Sequence, residues 1–81
     1  MEFSYESVND ALRVHHTQLS GYWSVLGWDE NVATVTYMLE ATGEDVTVTV
    51  DRNGVVTAPE VLIAEMDQIE REDEAHRNRN S

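Results

Sequence analysis

At 81 residues the chain has room for one domain, and a fold of that size buries only about 60% of the surface its unfolded chain exposes. Sixteen acidic residues stand against five arginines and no lysine, for a formal net charge of −11, and there is no cysteine. These counts exclude disulfide staples and thiolate metal sites. They also argue against nucleic acid or an anionic membrane as a direct ligand, since both are held by cationic side chains.

Tyr5, Val8, Leu12, His15 and Leu19 recur at spacings of three and four, which predicts a helix over residues 5–20 with these residues on one stripe. Ser4 or Ser7 supplies the N-cap, and Ser20-Gly21 ends the helix. On this reading His15 is a hydrogen-bonded histidine within the apolar stripe. His16 points roughly 100° away, so the neighbouring pair cannot chelate one ion.

Residues 22–28 fit either a continued helical stripe through Tyr22 and Leu26 or a short strand. Gly21, Gly27 and the aromatic and β-branched content favour the strand. Over 32–40 a strand places Ala33, Val35, Tyr37 and Leu39 on one face and Thr34, Thr36 and Met38 on the other. After a turn at 41–44, Val46, Val48 and Val50 alternate with Thr47 and Thr49. Asp51-Arg52-Asn53-Gly54 is a hairpin signal, with Asn-Gly supplying positive φ, and 55–57 pair back as a brief edge strand.

Thr57-Ala58-Pro59-Glu60 reads as a capping box opening a second helix. Leu62, Met66 and Ile69 form its apolar stripe, with Ile63 beside it. Asp73 is the next position on that stripe, so burial is expected to stop near Ile69 and the rest to project into solvent. Asp67–Arg71, Glu72–His76 and Asp73–Arg77 are i,i+4 pairs of favourable order, each worth about 0.3–0.5 kcal/mol. The expected architecture is α+β: one domain over 1–77, with an α-β-β-β-α antiparallel meander of three to four strands. Both terminal helices pack on one face, the threonine face is open, and a frayed tail covers 78–81.

Little points to chemistry. No G-x-S-x-G is present, and the four glycines are scattered rather than gathered in a phosphate-cradling loop. His76 has Glu72 and Asp73 behind it, but exposed ligands on a helix end make a poor metal site. Paired carboxylates fall at turns and on a polar helix face, where solvation is the default. The expectation is therefore no catalytic residue, no metal and no cofactor.

The charge is concentrated. Residues 60–74 hold seven acids against one arginine, whereas residues 41–59 contribute only −2. Glu60, Asp67, Glu70 and Glu74 fall within roughly 80° of arc on the second helix. Carboxylates so spaced imitate a row of phosphates. Trp28, with Asp29 and Glu30 as an acidic rim, is a second candidate contact; of Trp23 and Trp28, one is expected buried and one partly exposed. In size and charge the chain resembles the small acidic viral inhibitors of restriction and CRISPR enzymes, a resemblance that covers no motif.

These features predict a non-enzymatic protein-binding module for a basic surface, in its most concrete form a virus-encoded nucleic-acid mimic acting on a host nucleic-acid enzyme. The alternative is a structural or assembly protein, a small virion component or a homo-oligomer such as a homo-dimer, associating through the threonine face, the strand edge at 55–57 or the projecting helix. A composition acidic, free of lysine and rich in valine and threonine also looks like that of proteins of haloarchaea, or of high-GC actinobacteria and their viruses; in a halophile the acid would serve hydration in brine. No apolar run approaches the ~20 residues of a membrane span. The acidic start Met1-Glu2-Phe3 is no signal peptide, so a host-cell cytoplasm or a virion is the expected setting.

Overall fold

A computed structural model describes residues 2–79, with side chains described as far as Ala75. The elements in chain order are helix α1 (Tyr5–His15), a 3-10 turn (Thr17–Ser20), strands β1 (Val25–Trp28), β2 (Val32–Met38), β3 (Asp45–Asp51) and β4 (Val56–Thr57), and helix α2 (Glu60–Arg79). The strands form one antiparallel sheet in the order β1-β2-β3-β4. The α+β meander expected from the alternation is the fold.

Period-two patterning explains the sheet. Ala33, Val35 and Tyr37 on β2 and Val48 and Val50 on β3 are fully buried, and Leu39 just past β2 is nearly so. They pack with Val8 and Leu12 of α1, Leu19, Leu26, and Leu62 and Met66 of α2 in a single core. The opposite face carries a threonine ladder, Thr34 across from Thr49 and Thr36 across from Thr47. One register serves both faces, because a slip by one residue would turn every valine outward.

Turn chemistry sets the connections. Gly43 (φ 73°) and Gly54 (φ 80°) are the positive-φ residues among those described. At the β3–β4 turn only Gly54 takes the left-handed conformation, Asn53 does not, and Asp51 Oδ1 accepts the amides of Asn53 and Val55 at 2.8 and 2.9 Å. The turn is thus built on a carboxylate cap and one glycine.

Beyond one or two residues at the ends of β2 and β4, the main boundaries that differ from the sequence expectation are these. The first helix ends at His15 rather than continuing to residue 20. His16 is extended (φ −158°, ψ 126°), and Leu19 is carried into the core by the 3-10 turn instead. The expected strand over 22–28 shortens to Val25–Trp28, leaving Tyr22 and Trp23 in a loop. Thr57 pairs with Thr49 in the sheet rather than capping α2, which starts at Glu60, with the Pro59 carbonyl accepting the amides of Leu62 and Ile63. The N-cap of α1 is Ser4, in a reciprocal pair with Ser7: Ser4 Oγ accepts the Ser7 amide at 3.1 Å and Ser7 Oγ accepts the Ser4 amide at 2.9 Å.

Beyond Ile69, residues 71–75 of α2 are all exposed, so no face of this stretch is packed. The domain measures 45 × 28 × 18 Å. The helix itself runs on through Asn78 and Arg79 where a frayed tail was expected, while Asn80 and Ser81 lie outside the described residues. The side chains of His76 and Arg77, and the pairings expected of them, also lie outside what is described.

Candidate functional site

The sequence singles out seven contact residues, and the fold divides them into two groups. Trp28 ends β1, and Asp29 and Glu30 form the turn after it. Glu60, Asp67, Glu70 and Glu74 lie on α2. Trp28 touches Tyr5 in the first turn of α1, whereas Asp67 and Glu70 reach His16 just past its last turn. The length of α1, about 16 Å at 1.5 Å per residue, therefore lies between the Trp28 group and the Asp67–Glu70 pair.

In the α2 group the carboxylates differ in what they do. His16 Nε2 lies 2.7 Å from Asp67 Oδ1 and 3.8 Å from Glu70 Oε2, and Thr17 Oγ1 donates to Glu70 Oε1 at 3.1 Å. Asp67, expected to pair with Arg71, turns to His16 instead. Glu70 lies only about 40° around the helix from the buried Met66, which brings it to the edge of the packed face. Glu65 caps the β2–β3 connection, accepting the amides of Glu40 and Ala41 at 3.0 and 3.1 Å. Glu60, Glu72 and Glu74 are exposed. Asp67, Glu70 and Glu65 thus reach other elements of the domain, whereas Glu72 accepts from Gln68 Nε2 within the helix at 3.2 Å.

The roles of the two histidines are the reverse of those expected. His15 is exposed, while the His16 side chain is only 10% exposed and faces α2. His16, Asp67 and Glu70 offer one ligand atom each within 4.8 Å of one another, a donor set of the kind divalent cations use. The tautomer assigns the trio another role. Gln18 donates its main-chain N–H to His16 Nδ1 at 3.2 Å, so the proton of the neutral ring sits on Nε2 and is donated to Asp67. A metal would need the Nε2 lone pair, with the Nδ1–H given to an acceptor that is not there. The trio is a hydrogen-bonded tie between the 3-10 turn and α2.

The second group is an aromatic surface with an acidic rim. Trp28 is 42% exposed and Tyr5 60% exposed. Tyr5 meets Trp28 edge-on, with ring centroids 5.2 Å apart and planes at 79°, and lies parallel to Trp23 at 6.4 Å. Trp23 is half-buried, its Nε1 donating to Asn9 Oδ1 at 3.1 Å. Trp23 thus packs against the core without being fully buried in it, and Trp28 is the exposed one of the pair. A shallow cleft of about 370 Å3 is lined by Glu2, Phe3, Trp28, Asp29, Glu30 and Arg52. Asp29 Oδ1 accepts the amides of Asn31 and Val32 at 2.7 and 2.9 Å, and those hydrogen bonds hold its carboxyl below the usual aspartate value.

Phe3, Arg52 and His16 were not legible as site residues. Each is placed by a contact across the fold, and none carries a local spacing signal. Comparison with protein-family models, with curated proteins and with solved structures finds no match to this chain.

Proposed function

We propose that this domain is a non-enzymatic, acidic protein-binding module that occupies a basic surface, in its most concrete form a nucleic-acid mimic of the kind small viral inhibitors use. The observation that carries the reading is α2: its residues 71–75 are exposed, Glu60 and Glu74 are exposed on one arc of the helix, and Asp67 and Glu70 between them keep 47% and 41% of their side chains exposed. From Glu60 to Glu74 the helix rises about 21 Å, the span of about six phosphates along one DNA strand. A basic groove would be drawn to this row by long-range attraction and would release it as salt rises.

The test is competition with DNA for a panel of nucleic-acid-binding enzymes, restriction and CRISPR nucleases included. Affinity is expected to fall steeply between about 50 and 200 mM salt. Charge reversal at Glu60 and Glu74 to Lys should abolish binding while leaving the core and the His16 tie intact; unchanged affinity would count against the reading. Circular dichroism in dilute buffer belongs to the same experiment. A domain that folds only in molar salt would assign the charge to hydration in brine instead.

A second reading, self-assembly, is favoured by the open sheet face, where Val25 (62% exposed) and Met38 (57% exposed) flank the threonine ladder. Association through that face would be apolar and would strengthen with salt, opposite to the first reading, so light scattering at low and high salt separates the two.

A further inference from the structure

We infer that the cleft between the N-terminal segment and the β1–β2 turn is a receptor for one cationic side chain of the partner, arginine foremost. This rests on the reading of the partner as basic, and it places a specific contact at the end of the domain away from the acidic row of α2.

Two observations converge on that chemistry. The cleft sets the Trp28 ring and Phe3 beside three carboxylates, Glu2, Asp29 and Glu30. An indole face attracts a cation through its quadrupole, and a planar guanidinium can stack on it while its N–H groups reach neighbouring carboxylates. Arg52 lines the same cleft from the β3–β4 turn, so a guanidinium is already compatible with this lining, at three carboxylates to one.

The receptor is also preorganised. Tyr5 buttresses Trp28 edge-on, Tyr5 in turn lies against Trp23, and Trp23 is anchored by its bond to Asn9. Asp29 is fixed by two main-chain amides on a single carboxylate oxygen. Neither the ring nor this carboxylate has to be ordered on binding, which removes an entropic cost of roughly one side chain each. A second copy of the chain is a poor occupant, because it would bring −11 against −11.

The test is titration of the full chain with a short, end-blocked oligoarginine peptide at low salt, followed by amide and indole NMR signals, with a citrulline peptide as neutral control. Shifts are expected to concentrate at the Trp28 indole, Glu30 and Arg52, and to be absent with citrulline. Trp28→Leu should weaken binding on the order of tenfold. Glu30→Gln, at an exposed turn position, should weaken it by a smaller factor and guards against a Trp28 variant that fails to fold. Arg52→Ala should tighten binding by removing the competing cation. Shifts confined to α2 with Trp28 unmoved would overturn the cleft and leave the basic-partner reading standing. No binding of the peptide at either place would overturn both.

Discussion

The Tyr37 hydroxyl, on the inner face of β2, donates a 2.7 Å hydrogen bond to the main-chain oxygen of Leu19. Both residues are fully buried, so one bond fastens the 3-10 turn to the sheet from inside the core. Tyr37→Phe strands the Leu19 carbonyl and should cost about 1–3 kcal/mol in urea denaturation.

The same burial makes Tyr37 an alkaline sensor. Lack of solvation pushes its phenol well above the ordinary value near 10. The folded state therefore holds the proton more tightly than the unfolded state. The contribution to stability is complete below about pH 10 and is lost as pH rises beyond it. Urea midpoints measured across that range should fall for the parent chain, and Tyr37→Phe should remove this part of the fall.

The tie between His16 and Asp67 should be worth little in isolation and measurable as a coupling. Asp67 is 47% exposed, so solvent screens the contact even though the His16 ring is covered. A double-mutant cycle with His16→Ala and Asp67→Asn should return a coupling of about 0.5–1 kcal/mol. A coupling of zero would show that the ring merely packs there.

Gly43 isolates a backbone effect. A Cβ at this position meets nothing within 4 Å, yet φ is +73°. Gly43→Ala should destabilise by about 1–2 kcal/mol through conformation alone, and Gly43→Asn by less, as asparagine tolerates the left-handed region. Thermal melts of the two variants side by side make the comparison.

Glu65 should protect the β2–β3 connection against exchange. Its carboxylate accepts the amides of Glu40 and Ala41, which otherwise face water. In Glu65→Ala these two amides should exchange faster by roughly tenfold, with little change in the core strands.

The sheet was legible in the sequence because each strand shows its buried face in alternate residues, and Val48 and Val50 are where that rule puts them. The end of burial on α2 was legible for the same reason, since Asp73 occupies the position where an apolar residue would continue the stripe. The histidines were not. A three-four repeat through Leu19 implies continuous helix, and it cannot reveal that His16 leaves the helix to meet a carboxylate 51 residues away. The acidic row was half legible: helical spacing shows which carboxylates share a side, but not that Asp67 and Glu70 are drawn to the 3-10 turn while Glu65 caps a loop. The cleft at Trp28 shows the same limit, because Phe3 and Arg52 arrive there from segments far apart in the sequence, the N-terminus and the β3–β4 turn.

One hydrogen-bonded helix, α2, spans two thermodynamic regimes. Up to Ile69 its order is underwritten by Leu62 and Met66 in the core, so its amides open only with the whole domain. Residues 71–75 are exposed and add nothing to the core, and a helical stretch that short without burial is marginal in water. Its amides should exchange quickly, and trypsin should cut at Arg71 while the globule survives. A partner that grips this stretch would therefore supply helical order as well as countercharge, and a rise in helix content on binding would be its spectroscopic signature.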